Sequence, residues 1–195
     1  MLRLRNPITV CISLLALLPA SLGAQMKDKD PASTRKVVVE RFSVISSKPF
    51  EEVVAGIERG VAHPDISALL QNISAAKNET ELEQVVNAAA GPTGIMQFNR
   101  FDLGDVLRKE QGDKARPIIR LLVGNPLIMK SMVKYAPDAG SYAPVTILID
   151  QRADGVHVSY DRMASLLAPY GSEQALKVAR DLDQKIDTLI RSAAL

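Results

Sequence analysis

The sequence predicts a single α+β domain with one mostly antiparallel sheet of about five strands covered by helices. The first observation is a set of short runs rich in β-branched and aliphatic residues, which predict strands. The second is that helical patterns separate most of these runs. The third is a hairpin signal, Asp154-Gly155, between the last two of them. The predicted strands cover residues 37–45, 95–101, 117–123, 145–149 and 156–160.

Capping residues and apolar periodicity define the predicted helices. The first helix is expected to start with Ser47 as the capping hydroxyl and Pro49 in the first turn, and to end at Gly60. The last helix carries an apolar stripe from Leu176 to Ala193 at helical spacing. The other predicted helices follow a side chain that can accept hydrogen bonds from the first turn, namely Asp65, Asn78 (with Glu81 completing a capping box), Asp102 and Asn125.

The N-terminus has the pattern of a secretion signal. Arg3 and Arg5 supply a basic start, and an apolar run follows at residues 8–18. A membrane-spanning helix needs roughly 20 apolar residues, which this run does not reach. Small residues follow, so cleavage is expected after Ala24 or after Gly23.

These features divide the chain into a signal peptide at 1–24, a flexible polar lead-in at 25–36 and an α+β domain at 37–195. We expect a periplasmic or secreted protein that has no attachment to the membrane after the signal is cleaved. The sequence therefore predicts a working domain of one compact unit.

Composition argues against several classes of partner and chemistry. The chain has 24 Lys and Arg and 22 Asp and Glu, and the leader holds Arg3 and Arg5, so the exported part would have 22 of each sign. This balance gives no support for a nucleic-acid partner. The single cysteine, Cys11, lies in the leader, so the exported domain is expected to have no disulfide.

No sequence motif indicates a metal or cofactor site. The two histidines, His63 and His157, do not form a metal-binding spacing, and we predict a loop position for His63 and a solvent-facing strand position for His157. Nucleotide-binding loops and the serine-hydrolase elbow are absent from the sequence. Met129 and Met132 share a helix face, where thioethers could bind Cu(I), although core packing is the favoured interpretation.

The most polar segment at a strand end is Ser159-Tyr160-Asp161-Arg162. Strand alternation predicts that Tyr160 and Arg162 point to one side and Asp161 to the other. One interpretation is the rim of a pocket for a small polar or anionic ligand. The other, which we favour, is that Asp161 caps the next short helix and Arg162 is a solvated surface residue.

The ordered motifs of the second half resemble the bacterial family known as domain of unknown function 302 (DUF302), in its exported branch. They are PIIRLLV followed by Gly-Asn-Pro, then Pro-Asp-Ala-Gly, Tyr-Ala-Pro before VTILID, and HVSYDRMASLL. Many relatives have a cysteine in place of Gly124. The resemblance implies a compact α+β fold. Because proteins with this fold are often dimeric, it also implies a homodimer. It carries over no catalytic residue. The segment from about His63 to Ala90 is longer than in the shortest relatives.

Three functions remain open on the sequence. The first is a periplasmic module that binds or senses a small molecule, with no cofactor, through the candidate ligand-binding residues Asn125, Tyr142, Tyr160, Asp161 and Arg162. The second is an enzyme in which Asp161 or Asp150 acts as a base beside Tyr160. The third is a structural or partner-binding protein that uses the C-terminal helix or a sheet edge.

Overall fold

The structure is a computed structural model that describes residues 32–91 and 93–195. The predicted signal peptide and residues 25–31 of the predicted lead-in lie outside the described residues. Residues 32–40 form neither helix nor strand. Lys36–Leu195 form one compact unit.

Five strands form a single antiparallel sheet, which confirms the predicted fold class. The spatial order is β1-β5-β4-β3-β2, so β1 and β2 are the two edges. A two-residue turn joins β4 to β5, and Gly155 after it has φ 138°, a conformation that L side chains rarely adopt. The strands are β1 Arg41–Ser46, β2 Met96–Asp102, β3 Ile118–Gly124, β4 Val145–Arg152 and β5 Gly155–Asp161.

Helices lie in the connections from β1 to β2, from β2 to β3 and from β3 to β4, and two more follow β5. None of the described helices is long and apolar enough to cross a bilayer. Short 3₁₀ segments cover Gly112–Lys114, Pro137–Ser141 and Ala168–Tyr170. The α-helices are α1 Phe50–Arg59, α2 Ile66–Ala75, α3 Glu79–Ala90, α4 Leu103–Gln111, α5 Pro126–Val133, α6 Met163–Leu167 and α7 Glu173–Ala194.

Most of the predicted caps are confirmed. The side chains of Asp65, Asn78, Asp102 and Asn125 accept hydrogen bonds from first-turn N–H groups of α2, α3, α4 and α5. Ser172 does the same at the start of α7. The prediction for Ser47 was wrong. Pro49 occupies the N-cap of α1, and its side chain makes no capping hydrogen bond. The fixed φ of proline instead sets the direction of the chain into the helix.

The first strand begins later than the sequence predicted, at Arg41 instead of residue 37. Arg41 lies opposite Asp161, the last residue of β5, in the register of the two strands. Residues 37–39 therefore extend beyond the end of their only neighbouring strand. Without a partner, β-branched residues alone do not form a ladder.

Helices cover one face of the sheet. The alternate residues of the strands that point to this side are buried, for example Val44, Val158, Ile149 and Ile119, which form one row across four strands. They belong to one apolar cluster with side chains of α1, α5, α6 and α7. The other side chains of the same strands form an open face, in which Ser43, Ser159, Leu148, Arg120 and Phe101 lie in a row across all five strands.

A second, smaller apolar cluster lies outside the main core. It contains Leu69 of α2, Val86 and Ala90 of α3, and Met96 at the start of β2. The helices α2 and α3 lie within residues 63–90, for which the resemblance led us to expect a longer segment than in the shortest relatives. Both helices contribute side chains to this cluster.

Two helices of the main core, α1 and α7, approach each other closely at Gly56. A Cβ atom at Gly56 would lie 2.9 Å from the Cβ and 3.0 Å from the Cα of Ala193. Real Cβ atoms rarely approach other atoms so closely, so this contact requires glycine. The pairing of Gly56 with Ala193 sets the separation of the two helices.

We predict that Gly56→Ala destabilises the domain by about 1–2 kcal/mol, because overpacking outweighs the gain of about 1 kcal/mol in helix propensity. Urea unfolding measures the change. Gly140→Ala is the control, since its added Cβ would have only Val133 Cγ2 nearby, at 3.8 Å. The control should stay within about 0.5 kcal/mol of the wild type. A Gly56→Ala protein as stable as the wild type would contradict the close-contact interpretation.

Candidate functional site

A groove lies on the open face of the sheet, near the start of β4 and the end of β5. It has a volume of about 470 Å³. We call it the sheet groove. Strands β1, β3, β4 and β5 supply its floor, while Tyr142 and Leu166 belong to segments beside the sheet. Its lining consists of Arg41, Arg120, Tyr142, Val145, Thr146, Leu148, Ser159, Tyr160, Asp161 and Leu166.

Two of the three charged side chains in the sheet groove neutralise each other. Arg41 and Asp161 lie opposite each other on β1 and β5. Arg41 donates from Nε to Asp161 Oδ1 at 2.6 Å and from Nη2 to Oδ2 at 2.9 Å. The hydrogen bond and charge of Asp161 raise the pKa of the Arg41 guanidinium above its ordinary value. This bidentate pair forms one fixed side of the groove.

Arg120 is the third charged group, and its environment is different. Its guanidinium carbon lies 5.4 Å from the centre of the Phe101 ring on β2. The ion pairs formed between described residues do not include Arg120. A guanidinium that stacks on a ring keeps its in-plane N–H donors free for an anion.

Tyr142 belongs to an aromatic pair beside the groove. Its hydroxyl lies 2.9 Å from the hydroxyl of Tyr170, and the two ring centres are 6.4 Å apart. Tyr170 ends the 3₁₀ segment that follows α6. The contact therefore connects the segment that leads into β4 to the chain after β5, and it fixes the wall that Tyr142 forms.

Tyr160 borders the groove, but its hydroxyl is bound on the helical side of the sheet. The hydroxyl lies 3.0 Å from Asp187 Oδ1, 3.3 Å from Asp183 Oδ1 and 3.2 Å from the Asp183 carbonyl oxygen. Burial, followed by the charge of Asp183, raises the pKa of Tyr160 above its ordinary value. The phenol therefore stays protonated at neutral pH and acts as a donor to α7.

Arg162 also points toward α7, on the same side as Tyr160, as strand alternation predicted. It donates from Nη2 to Asp187 Oδ2 at 2.8 Å, and its guanidinium carbon lies 5.3 Å from the centre of the Phe42 ring. The favoured interpretation of Arg162 as a solvated surface residue was wrong. Its charge is paired with α7, so it is not available to a ligand in the sheet groove.

The cap of α6 comes from a residue distant in sequence. Asp183 of α7 accepts from Met163 N at 2.7 Å through Oδ1 and from Ala164 N at 3.0 Å through Oδ2. The prediction that Asp161 caps this helix was wrong, because strand alternation turns Asp161 to the open face, where Arg41 binds it. Burial raises the pKa of Asp183, while the two backbone N–H groups oppose that effect.

Asn125 lies at a different site from the sheet groove. It caps α5 and donates from Nδ2 to the Gly94 carbonyl oxygen at 2.8 Å. Its neighbours are the walls of a separate apolar cavity. Of the five candidate residues, Tyr142, Tyr160 and Asp161 border one groove, whereas Asn125 and Arg162 do not.

Comparison with known proteins decides the family. The sequence profile of the domain of unknown function DUF302 matches residues 71–193, which is well over half of the 195 residues. The chain belongs to the DUF302 family. No curated protein matches this sequence.

A solved DUF302 structure has the same fold. It is the crystal structure of an uncharacterized conserved protein DUF302 from Bacillus stearothermophilus, with a TM-score of 0.56 and 14% sequence identity. The alignment covers 78% of this chain and 97% of the other. At this identity the likeness establishes the fold alone.

The geometry separates the groups that the enzyme hypothesis for this DUF302 chain requires. Asp150 and Asp161 are bound to Arg152 and Arg41. Asp150 lies opposite Ile118 and His157, on the open face, whereas the Tyr160 hydroxyl is bonded to α7. Neither aspartate is therefore placed to act as a base beside the Tyr160 phenol.

The structure places the two candidate kinds of metal ligand, the histidines and the methionine pair, in different surroundings. Among the described residues, no group of three or more His, Cys, Asp or Glu side chains is arranged to hold a metal ion. The side chain of His157 is only 14% exposed and lies 2.8 Å from Asp154 Oδ1, so it is less solvent-facing than predicted. Met129 and Met132 share a face, as predicted, and both line the apolar cavity beside Asn125.

The sequence interpretation missed Arg120 and Asp183, although both left a signal. Arg120 is the one charged residue within the otherwise apolar run PIIRLLV. Asp183 falls on the apolar stripe of the last helix, four residues after Ala179 and three before Ile186. A polar side chain in an apolar run indicates a specific partner or a site.

We predict that Asp183→Ala destabilises the domain by about 2–4 kcal/mol, because the N–H groups of Met163 and Ala164 lose their buried acceptor. Urea unfolding measures the change. Asp181→Ala is the matched control on the same helix, since Asp181 is exposed, and it should stay within about 0.5 kcal/mol of the wild type. Equal effects of the two substitutions would contradict the capping role.

The pH dependence of the free energy of unfolding should also reveal the state of Asp183, because burial raises the pKa of this carboxyl above 3.8 in the folded protein. Asp183 therefore stays protonated up to a higher pH in the folded state than in the unfolded chain. Its contribution to stability is therefore fully present below about pH 3.9, the unfolded value, and declines as the pH rises through the folded pKa. The free energy of unfolding of the wild type minus that of Asp183→Asn should increase as the pH falls from 7 toward 4. A difference that is independent of pH would contradict the raised pKa.

Proposed function

We propose that this DUF302 protein is an exported module that binds a small amphipathic carboxylate in the sheet groove. The observation that carries the proposal is the guanidinium of Arg120, a cation on the groove wall outside every ion pair among the described residues. An anionic group would find its counter-charge there. The apolar part of the ligand would rest on the side chains beside it.

The size and lining of the groove support a small molecule. Ligand pockets commonly have volumes of about 300–1,000 Å³, and the sheet groove has about 470 Å³. Val145, Leu148 and Leu166 supply aliphatic surface, whereas Thr146 and Ser159 supply hydroxyl groups. An aliphatic surface with few polar groups suits a ligand whose body is apolar.

The charge of the lining favours a monoanion. Arg41, Arg120 and Asp161 are the charged lining residues, so together they carry one net positive charge. A single carboxylate matches this charge, and a doubly charged phosphate would leave one negative charge uncompensated near Asp161. A carboxylate also accepts two parallel N–H bonds from a guanidinium.

The walls are held in place without a ligand. The bidentate pair of Arg41 with Asp161 joins β1 to β5, and the contact between the hydroxyls of Tyr142 and Tyr170 holds the wall that Tyr142 forms. Preformed walls reduce the ordering entropy that binding must overcome.

Export is supported by the N-terminal sequence, with Arg3 and Arg5 before the apolar run at 8–18 and small residues after it. A binding module in the periplasm, or one that is secreted, would meet ligands taken up from outside the cell.

We predict that octanoate and benzoate bind the domain and raise its Tm, whereas octanamide and benzamide do not. Arg120→Gln should weaken carboxylate binding about 10- to 100-fold, as expected for the loss of a charged hydrogen-bonding partner. Isothermal titration calorimetry measures the affinities.

Arg180→Gln is the matched control, because Arg180 lies on α7, away from the groove lining, and is exposed. It should bind the carboxylates as the wild type does. Equal binding of amides and carboxylates, or an unchanged affinity in Arg120→Gln, would overturn the proposed ligand class.

For the leader, we predict that the full chain produced in a Gram-negative host is recovered from the periplasm with its N-terminus at Gln25 or Ala24. Mass spectrometry of the intact protein distinguishes these ends from Met1. Recovery of the uncleaved chain from the cytosol would refute export without affecting the binding experiment.

A further inference from the structure

A second cavity, separate from the sheet groove, lies beside the start of α5. It has a volume of about 210 Å³. We call it the seam cavity, and the side chains that define it here are Leu70, Ile73, Phe98, Met129, Met132 and Pro144. It shares no lining residue with the sheet groove.

The seam cavity lies where the two apolar clusters of the domain meet. Met132 is completely buried in the main core, while Phe98 and Ile73 pack on the smaller cluster. The apolar side chains that line this cavity face water where it opens to the surface, and covering them is favourable through the hydrophobic effect. A molecule that fills this space would remove apolar surface of both clusters from water.

The polarity of the lining restricts the occupant. Asn125 is the one lining residue with a polar side chain, and both ends of its amide are already used. Its Oδ1 accepts from Leu127 N at 2.7 Å, and its Nδ2 donates to the Gly94 carbonyl oxygen at 2.8 Å. A charged or strongly polar ligand group would therefore lose its hydration without gaining a partner.

We propose that the seam cavity binds one uncharged apolar molecule of the size of a one- or two-ring hydrocarbon. The size follows from the volume, because an engineered cavity of about 150 Å³ in another protein holds benzene. Leu70 is 55% exposed, so one wall of the cavity reaches the surface through α2 and gives a ligand a route of entry.

Methyl NMR of the wild-type protein tests the proposal with naphthalene as the probe. The protein is labelled with ¹³C at the methionine methyl groups. Met132 lines the cavity and is fully buried, whereas Met163 is fully buried in the same core but does not line the cavity. Naphthalene should produce a saturable shift of the Met132 methyl signal and little change at Met163.

Naphthalene-2-sulfonate is the matched charged probe, and it should leave the Met132 signal unchanged. A Met132 signal that does not respond to naphthalene, or responds equally to the sulfonate, would overturn the proposal. So would equal shifts at Met132 and Met163, because they would indicate a general effect on the core.

Two variants locate the bound molecule. A Cβ at Gly124 would contact Pro144 Cβ at 3.4 Å and Phe98 Cε2 at 3.8 Å, and both of these residues line the cavity. The larger side chain in Gly124→Val should displace this part of the wall and reduce naphthalene affinity at least tenfold. Gly140→Ala is the control for substituting a glycine elsewhere and should bind as the wild type does. Undiminished binding in a folded Gly124→Val protein would contradict this location.

Arg120→Gln separates this inference from the proposed function. It should remove carboxylate binding in the sheet groove and leave the naphthalene response of Met132 unchanged. Loss of both responses would show that the two ligands share a site, which contradicts the inference of a separate cavity.

Discussion

The described helices cover only one face of the antiparallel sheet, and this asymmetry determines where the candidate residues at the end of β5 can act. Side chains alternate between the two faces, so neighbours in sequence have different partners. Tyr160 and Arg162 point to α7 and bind its carboxylates, while Asp161 between them points to the open face and binds Arg41. The polar segment at the end of β5 therefore holds α7 on the covered face and binds β1 on the open face.

The covered face depends on a buried carboxylate at its edge. Asp183 is only 4% exposed, and it connects α7 to the first turn of α6 and to the Tyr160 hydroxyl. Burial alone would make such a carboxylate unfavourable, and the donors around it offset that penalty. Since α6 also carries Leu166, this interaction positions one wall of the sheet groove.

The two cavities have opposite chemistry because they lie in different layers of the fold. The sheet groove is on the open face, where Arg120 and Asp161 keep access to water while aliphatic side chains form part of the floor. The seam cavity lies between two apolar clusters, and its lining has no charged side chain. An amphipathic anion suits the first, and a neutral hydrocarbon suits the second. Under these two proposals, the domain has two independent binding sites.

The sequence by itself determined the local features of the chain. Strand periodicity and caps such as Asp65 and Asn125 depend on residues within a few positions of each other, so the five strands and most helix starts were predictable. Tertiary structure decided the rest. The true start of β1 depends on where β5 ends, and the cap of α6 comes from a residue of α7. Arg120 meets Asp161 in one groove only after two strand pairings, β3 with β4 and β4 with β5, have formed. These contacts join residues far apart in the chain, and their partners are fixed by strand register and helix packing, which no local pattern specifies.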